Sequence, residues 1–333
     1  MKICIERTDR MGDMILTLPI IQGIKELNSQ AEIHVIASKK NIKICNHFNG
    51  INKIYERPTS ISTFYNLRKS INYEQYDYFF VFSPSWFGLL LGLLSKSKTK
   101  AALILQSRYK SNFFSKFWKI LFSNIFFSHL KVVNRLKQIQ NDQNIHQTRM
   151  MMDLVFNAGI SLAKDTKIGS IFPTKFKIKK TRPMCLIHLS SKWINQHNSE
   201  DKFIEFLESL NHKDYTFYLT TDETTKNKFS KIFNKYLVCN DWQSLMNDDE
   251  KIIICEDFNF EKWVSLINQS DIIITPECGC VHISSLTNSK LCIIYQNKIS
   301  RKHYEEYTPW KKEFLGLETD DNQLNSKLLN FIQ

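Results

Sequence analysis

A short run near the start of the chain carries residues suited to acid–base chemistry. It reads RTDRMGD over residues 7–13 and follows the mostly apolar segment 2–6. Apolar residues then recur at helical spacing: Met14, Ile15, Leu18, Ile21 and Ile24. Gly12 and Asp13 therefore stand where a strand becomes a helix, the edge at which open α/β sheets bind ligands.

Two interpretations of Asp13 follow from this position. A carboxylate at a helix N-terminus is kept ionised and could act as a general base, while Gly12 lets the backbone approach a ligand closely. Aspartate is also a common helix-capping residue, which needs no catalytic role. This stretch alone leaves both interpretations open.

Length and composition restrict the class of protein. The chain has 333 residues, enough for two domains, and a net charge of +12 that favours phosphate-bearing or anionic partners. Its eight cysteines form no CxxC pair, so we predict neither a zinc site nor a thioredoxin-like motif, and no catalytic metal cluster is evident. Several of the cysteines lie in apolar runs, which fits a reducing cytoplasm. Charged residues interrupt the N-terminus, which argues against a secretory signal, and the apolar stretch 79–95 is too short for a membrane span.

The order of strand-like and helix-like runs predicts an α/β fold built from two similar halves. Predicted strands lie at 2–7, 32–37, 53–56, 78–82 and 101–105, then at 184–189, 215–219, 252–255, 271–275 and 291–295. Predicted helices lie at 13–27, 41–47, 60–71, 86–94 and 148–158, then at 199–210, 223–233, 260–268, 281–286 and 323–332. Such alternation indicates parallel sheets covered on both faces. We predict an N-terminal domain at 1–160, a polar, lysine-rich linker at 161–183 and a C-terminal domain at 184–333, with a ligand cleft between the domains.

One segment, 108–137, is rich in aromatic and large apolar residues, eleven of them between Tyr109 and Phe127, and has seven lysines and arginines and no acidic residue. This composition is typical of a helix that lies on an anionic membrane surface. It also fits a helix that packs on the sheet and exposes only its lysines. Nucleic-acid binding is less favoured, because no nucleic-acid motif accompanies the aromatic residues.

In the second half, the segment 270–286 passes from a predicted strand through Glu277, Cys278 and Gly279 into a helix that begins near Cys280. Backbone N–H groups at such a helix start can bind phosphate. Glu277 could hold sugar hydroxyls and His282 could donate a hydrogen bond to phosphate. Both residues also have structural interpretations, a first-turn carboxylate and a satisfied histidine.

A second polar turn follows the strand at 184–189. Ser190, Ser191 and Lys192 could contact phosphate at the same sheet edge, or could simply form a polar loop.

Three separated pieces of the chain together resemble glycosyltransferase family 9, the bacterial heptosyltransferases of lipopolysaccharide core synthesis. Residues 7–13 with Leu16-Thr17-Leu18-Pro19 look like the family's opening motif, and Tyr76-Asp77 before an apolar strand resembles its next landmark. The segment 275–282, TPECGCVH, is similar to the family's Asp-x-Gly-x-x-His donor motif.

The resemblance implies a GT-B fold, two Rossmann-like domains facing each other across a cleft. It implies an inverting enzyme that moves a heptose from ADP-heptose to a lipid-linked core oligosaccharide of the Kdo–lipid A type. Asp13 matches the family's catalytic base, and Arg10 and Gly12 would bind the acceptor. The donor would contact Ser190, Ser191, Lys192, Glu277, Cys278, Gly279, Cys280 and His282. The enzyme would need no evident cofactor, and would be cytoplasmic and peripheral to the inner membrane.

The chain departs from the family pattern at the donor motif. Glu277 stands in place of the usual Asp, Cys278 and Cys280 replace a hydroxyl residue and Pro, and the family's Lys/Arg-Trp-Pro run is poorly kept near Trp193. One alternative is therefore an enzyme of the same family that uses another nucleotide sugar or acceptor. A second alternative is a non-catalytic protein of the same fold that binds a sugar nucleotide. A nicotinamide dehydrogenase is disfavoured, because no G-x-G-x-x-G follows any strand.

Overall fold

The computed structural model describes residues 1–83, 85–107, 113–141, 145–179, 181–190, 200–221, 226–246 and 250–333. The chain divides into two compact units. Unit 1 contains Met1–Ile168 and Glu305–Trp310, and unit 2 contains Gly169–Tyr304 and Lys311–Gln333. The segment 305–310 therefore belongs to unit 1, although it lies far along the chain.

Unit 1 is a parallel six-stranded sheet with strand order β3-β2-β1-β4-β5-β6. Its strands are β1 Lys2–Arg7, β2 Glu32–Ala37, β3 Lys53–Glu56, β4 Tyr78–Val81, β5 Thr99–Ser107 and β6 His129–Asn134. Its helices are α1 Met11–Ile15, α2 Leu18–Leu27, α3 Ile42–Cys45, α4 Ile61–Glu74, α5 Trp86–Leu94, α6 Phe113–Phe126, α7 Arg135–Gln140 and α8 Gln147–Asn157. The strand order reverses between β1 and β4, which defines the topological switch point of this sheet.

Unit 2 is a parallel seven-stranded sheet with order β13-β12-β11-β7-β8-β10-β9. Its strands are β7 Met184–Leu189, β8 Thr216–Thr221, β9 Leu237–Cys239, β10 Ile252–Cys255, β11 Ile272–Pro276, β12 Lys290–Tyr295 and β13 Leu315–Glu318. Its helices are α9 Glu200–Ser209, α10 Ser230–Lys235, α11 Trp242–Met246, α12 Phe260–Gln269, α13 Gly279–Ser284, α14 Lys298–Tyr304 and α15 Leu324–Phe331, with a 3₁₀ turn at Leu210–His212. A second 3₁₀ turn, Glu305–Tyr307, belongs to unit 1. The switch point lies between β7 and β11.

The central strands are buried because helices cover both faces of each sheet. Every residue of β7 and β11 is buried, and β1 is buried from Ile3 onward. Strands covered on both faces are near-continuous runs of Ile, Leu, Val and Cys, and four cysteines lie inside them: Cys4, Cys185, Cys255 and Cys292. The prediction of an α/β fold with two doubly wound parallel halves is confirmed.

The predicted helix 13–27 is wrong in one respect, because two helices occupy this stretch. Pro19 has no N–H to donate to the carbonyl of Ile15, so one continuous helix would lack a hydrogen bond at this point. The chain closes α1 with a bond from Thr17 N to Met14 O of 2.9 Å and starts α2 at Leu18. The hydroxyl of Thr148, on α8, donates to the Leu16 carbonyl at the break, at 2.9 Å.

The segment 108–137 is not one helix either. It includes α6, the edge strand β6 and the start of α7, because His129–Asn134 pairs with β5. The first residues of the predicted helix 223–233 lie outside the described residues, and the helix found there is Ser230–Lys235. Among the residues that the structure describes, no helix is both long enough and apolar enough to cross a bilayer.

Candidate functional site

The switch point of unit 1 gathers polar side chains at the carboxyl ends of β1 and β4. Thr8 and Ser83 each follow one of these neighbouring strands, and the Thr8 N–H donates to the Ser83 hydroxyl at 2.8 Å. Asp9 and Asp13 come next along the chain, before and within α1. Buried strands end here in a cluster of hydroxyls and carboxylates, as expected for a ligand-binding edge of an open sheet.

The guanidinium of Arg7 organises this cluster. Arg7 is fully buried, and its Nη1 donates to the Phe82 carbonyl at 2.7 Å while its Nη2 donates to Gln147 Oε1 at 2.9 Å. Its Nε lies 3.2 Å from Asp9 Oδ1, and its Nη2 lies 3.2 Å from Asp13 Oδ1. One buried cation is therefore shared by two carboxylates.

Asp13 lies in the first turn of α1, at the helix N-terminus that the sequence predicted, but it is not the N-cap residue. The N-cap of α1 is Arg10, and Asp13 is the third helical residue, whose carboxylate accepts the Arg10 backbone N–H at 3.2 Å. Its side chain is 13% exposed, so it is partly shielded from water yet open to a ligand. Oδ1 accepts the hydrogen bond from Arg7 and Oδ2 accepts the Arg10 backbone N–H. Each oxygen therefore keeps a lone pair that can take a proton.

The surrounding carboxyl groups are harder to ionise. Burial raises the pKa of Glu6 to about 8, although the Thr8 hydroxyl donates to Glu6 Oε1 at 2.6 Å. Burial also raises the pKa of Asp9, and the Asp13 charge adds to this effect while the Arg7 charge opposes it. Two carboxyl groups at this edge therefore have raised pKa values, and perturbed pKa values are frequent at functional sites.

Arg10 and Gly12, which the resemblance assigns to the acceptor, have contrasting environments. Gly12 is buried within α1, and its carbonyl accepts the Leu16 N–H at 3.0 Å. The Arg10 side chain is exposed to solvent. Arg10, the N-cap of α1, and Gly12, its second residue, both lie within three positions before Asp13.

The switch point of unit 2 brings together two stretches that are distant in sequence. Because Ile187 pairs with Ile274, Ser190 and Glu277 each lie three residues beyond the same register position. Ser190 is buried, whereas Glu277 is partly exposed. The predicted residues Ser191 and Lys192 lie outside the described residues.

The loop after β11 holds the rest of the predicted donor residues. Cys278 precedes α13, whose first residue is Gly279. Cys280 is buried, with its Sγ 3.8 Å from Ser284 Oγ, and His282 is partly exposed on the same short helix. The structure thus places Glu277, Cys278, Gly279, Cys280 and His282 at one end of β11.

Several residues at these edges were missed or given no role in the sequence analysis. Glu6, Ser83 and Gln147 contact the Arg7 cluster, and Gln147 lies 140 positions from Arg7 in the chain. Thr220 lies beside His188 in unit 2. Of these four residues, only Ser83 had a signal in the sequence, because it directly follows a predicted strand.

Three residues in the described part of the chain could together offer metal ligands, namely Glu32, His34 and Glu74. Glu74 already accepts hydrogen bonds from Lys2 at 2.8 Å and Lys53 at 2.6 Å. These ammonium groups neutralise the cluster and lower the pKa of Glu74 to about 2. Glu32 opens β2, so the cluster lies at the amino edge of the sheet, opposite the Arg7 cluster.

No protein-family model matches the sequence, and no curated protein sequence matches it. Solved structures do match. The E. coli heptosyltransferase WaaC with ADP superposes with a TM-score of 0.73 at 11% identity, covering 100% of this chain and 99% of that chain. A glycosyl transferase family 9 protein from Veillonella parvula gives 0.73 at 13% identity, covering 99% and 89%. E. coli ADP-heptose lps heptosyltransferase II gives 0.70 at 14% identity, covering 100% and 98%.

At sequence identities of 11–14%, this structural similarity shows that the chain shares the fold of these proteins. The chain therefore has a GT-B fold, the α/β class to which the two parallel sheets and their switch points already pointed. The resemblance to glycosyltransferase family 9 drawn from the sequence motifs agrees with this result. Activity and substrate need separate support, because one fold hosts many functions.

Proposed function

We propose that this protein is an inverting glycosyltransferase of the heptosyltransferase type, with Asp13 as its general base. The observation that carries the proposal is the position of Asp13, a partly shielded carboxylate held by Arg7 and Arg10 at the switch point of unit 1. The fold shared with heptosyltransferases and the motif at residues 7–13 support it independently.

The proposed reaction is a single displacement. Asp13 takes the proton from an acceptor hydroxyl while that oxygen attacks the anomeric carbon of the donor sugar. The bond between the anomeric carbon and the phosphate oxygen breaks, and the nucleoside diphosphate leaves with the electron pair. The hydrogen bonds from Arg7 and Arg10 fix the direction of the Asp13 carboxylate.

The donor is proposed to be ADP-heptose, bound at the carboxyl edge of unit 2. A heptosyltransferase of the same fold has been solved with ADP, and in this chain Ser190 and the residues 277–282 lie at the corresponding kind of edge, a switch point. Glu277 is one methylene longer than the usual aspartate, so another nucleotide sugar is the principal alternative. Gly279 leaves room for the backbone to approach a phosphate closely. Ser191 and Lys192 remain proposed contacts from the sequence.

The acceptor is proposed to be a lipid-linked core oligosaccharide, which requires the protein to work at the cytoplasmic face of the inner membrane. Residues 78–141 contain ten lysines and arginines and no aspartate or glutamate. Within this segment, α5 and α6 expose Trp86, Leu90, Trp118, Leu121 and Ile125, which we call the apolar ridge. Helices α5 and α6 contact each other through Trp86 and Phe122, whose rings lie 5.9 Å apart. Exposed tryptophan and aliphatic side chains in a cationic segment favour an anionic lipid surface.

The decisive experiment measures ADP release from ADP-heptose with and without a Kdo–lipid A acceptor, for the wild type and for Asp13→Asn. Asparagine keeps an acceptor for the Arg10 N–H but cannot take a proton. We expect acceptor-dependent release that falls by about 100- to 10,000-fold in the variant, the usual contribution of a general base.

The matched control is Asp77→Asn. Asp77 accepts the Lys2 backbone N–H at 2.8 Å at the amino edge of the same sheet, so we expect its variant to retain activity. Equal release by the wild type and Asp13→Asn would remove Asp13 from its role. Activity with a different nucleotide sugar would change the donor and keep the mechanism. Donor binding without turnover by the wild type would favour a non-catalytic sugar-nucleotide-binding protein.

A further inference from the structure

The start of α8 carries three consecutive side chains, His146, Gln147 and Thr148, and each forms a hydrogen bond with a distant part of unit 1. The proposed displacement reaction uses none of them. Gln147 and Thr148 are buried, whereas His146 is partly exposed. Because the three residues belong to one helical turn, a contact that holds one of them also limits the movement of the other two.

Gln147 reaches the proposed base through a single intermediate. Its Oε1 accepts a hydrogen bond from Arg7 Nη2 at 2.9 Å, and the same nitrogen lies 3.2 Å from Asp13 Oδ1. Nη2 carries two hydrogens, so Gln147 and Asp13 each take one of them. A guanidinium is planar and rigid, so a bond to one of its nitrogens fixes the directions of all its N–H groups. The position of Gln147 therefore sets the direction from which Arg7 meets the Asp13 carboxylate.

The position of Gln147 depends in turn on His146, the N-cap residue of α8. His146 Nδ1 accepts the Thr148 backbone N–H at 3.1 Å, so this nitrogen carries no proton. Nε2 lies 2.8 Å from the Thr308 carbonyl oxygen, which can only accept, so Nε2 is the donor. Burial lowers the pKa of His146, although the bond to Thr308 opposes this effect, and the ring is neutral at pH 7. One neutral imidazole thus caps α8 and joins it to the segment 305–310.

The segment 305–310 belongs to unit 1, although the chain before and after it belongs to unit 2. Trp310 attaches the segment to unit 1, because its Nε1 donates to the Thr166 carbonyl at 2.9 Å. The ring centroids of Trp310 and His146 lie 5.0 Å apart. The bond from His146 to Thr308 therefore joins the first turn of α8 to a segment that is itself held in place.

We propose that Gln147 is a positioning residue for the general base, and that His146 holds Gln147 in place by joining α8 to the segment 305–310. This role rests on the proposed function, because Gln147 acts through Arg7 on Asp13. The buried amide fixes the guanidinium, and the guanidinium fixes the direction of the Asp13 carboxylate toward the acceptor hydroxyl. A small displacement of a catalytic group slows the chemical step strongly, whereas donor binding in unit 2 does not depend on this contact.

The first test is the kinetics of Gln147→Met, which keeps the approximate length of the side chain and removes the acceptor for Arg7. We expect kcat to fall by about 10- to 100-fold, while the KM for the nucleotide sugar changes by less than about threefold. Such a result is the loss of an interaction that serves the chemical step. A wild-type kcat, or a change confined to KM, would overturn the positioning role.

The matched control is Asn72→Leu. Asn72 is also a shielded amide of unit 1, but it bonds the Leu94 carbonyl at 3.2 Å and the Lys96 N–H at 2.9 Å. We expect this variant to lose stability and to keep kcat in the protein that remains folded. An equal loss of kcat in Asn72→Leu and Gln147→Met would show a general effect of lost hydrogen bonds and would overturn the specific role of Gln147.

Two variants separate the two contacts of His146. Asparagine places an oxygen near the position of Nδ1, so His146→Asn keeps the helix cap and loses the bond to Thr308. Glutamine reaches as far as Nε2, so His146→Gln keeps a donor for the Thr308 carbonyl and caps α8 less well. We expect His146→Asn to lower kcat by about three- to tenfold, and His146→Gln to retain more of it. The opposite order would mean that His146 is only a helix cap and would overturn its role in holding Gln147.

Crystal structures of the wild type and of Gln147→Met test the positioning without any substrate. We expect the Arg7 guanidinium to leave its position and the Asp13 carboxylate to turn with it. If Gln147→Met does not fold, the structure of His146→Asn is compared instead, and we expect Gln147 and Arg7 to be displaced. An unchanged Asp13 carboxylate would overturn the inference. If the wild type transfers sugar from no donor, the proposed function fails, and these structures alone decide whether Gln147 positions Asp13.

Discussion

Arg7 shows how much one buried residue can organise. Its guanidinium reaches a carbonyl after β4, the amide of Gln147 on α8 and the carboxylates of Asp9 and Asp13. A buried arginine is tolerated only when its charge and donors are satisfied, and here the partners come from three separate elements. The cluster therefore holds the proposed base in one orientation and joins β4 and α8 to the start of α1.

Glu6 makes stability depend on pH. Burial raises the pKa of Glu6 to about 8 from an ordinary value of 4.5, so the folded protein keeps a proton that the unfolded chain has lost. The contribution of Glu6 to stability is therefore full below about pH 4.5 and falls as pH rises to about 8, by about 1.4 kcal/mol per pH unit. Glu6→Gln cannot lose this proton, so we expect the variant to gain stability relative to the wild type between pH 5 and pH 8, as measured by urea unfolding.

Glu74→Gln is the control for this prediction. The hydrogen bonds from Lys2 and Lys53 lower the pKa of Glu74 to about 2, so this residue stays ionised across the whole range. Its removal should change the free energy of unfolding by a constant amount from pH 5 to pH 8. A constant difference for Glu6→Gln as well would show that Glu6 is already ionised in the folded protein.

At the scale of elements, one close backbone approach holds α2 against the segment that follows α8. Helix α2 comes near the chain after α8 at Gly23, where an added Cβ would lie 2.4 Å from the Ala163 carbonyl oxygen. The Ala163 N–H also donates to the Gly23 carbonyl at 3.0 Å. Because the contact joins the backbones of Gly23 and Ala163, neither segment can make room as easily as a side chain could.

We expect Gly23→Ala to destabilise unit 1 by about 1–3 kcal/mol, even though alanine favours helix by about 1 kcal/mol. Gly169→Ala is the matched control, since an added Cβ there meets nothing within 4 Å. Thermal unfolding of both variants provides the measurement. A Gly23→Ala protein as stable as the Gly169→Ala protein would mean that the two segments separate easily.

At the scale of the whole molecule, the chain builds two units that are not two consecutive stretches. Trp310 belongs to unit 1, where its Nε1 donates to the Thr166 carbonyl at 2.9 Å. His146 contacts the same segment through the Thr308 carbonyl at 2.8 Å. Residues 305–310 therefore contribute to the stability of unit 1.

The net charge of +12 and the apolar ridge lead to a prediction about membranes. We expect the protein to float with phosphatidylcholine vesicles that contain phosphatidylglycerol, and to be released at about 0.5 M salt, where charge interactions are screened. Trp118→Gln with Ile125→Gln should reduce binding at low salt by at least about tenfold, because two apolar side chains no longer enter the interface.

Ile299→Gln is the control for the membrane experiment. Ile299 is an isoleucine of unit 2 that is 69% exposed, compared with 65% for Ile125, so its replacement removes a similar apolar side chain from the other unit. We expect this variant to bind like the wild type. Flotation unaffected by the double substitution, or absent in the wild type at low salt, would remove the ridge from the proposal.

The sequence by itself determined the class of fold, because local patterns carry that information. Apolar runs such as Met184–Leu189 and Ile252–Cys255 lie in the structure where their composition predicted. Turn residues after strands placed Asp13, Ser190 and Glu277 at sheet edges, because parallel strands end at a common edge. Less apolar edge strands, such as His129–Asn134 and Leu315–Glu318, gave no comparable signal and were missed.

Tertiary structure decided what depends on contacts between distant parts of the chain. The hydrogen bonds from Arg7 to Phe82 and Gln147, and the burial that keeps a proton on Glu6, require elements far apart in sequence. Burial and proximity set proton affinities, and neither can be read from local composition. The residue types in the candidate sites were visible in the sequence, whereas their ionisation and partners came from folding.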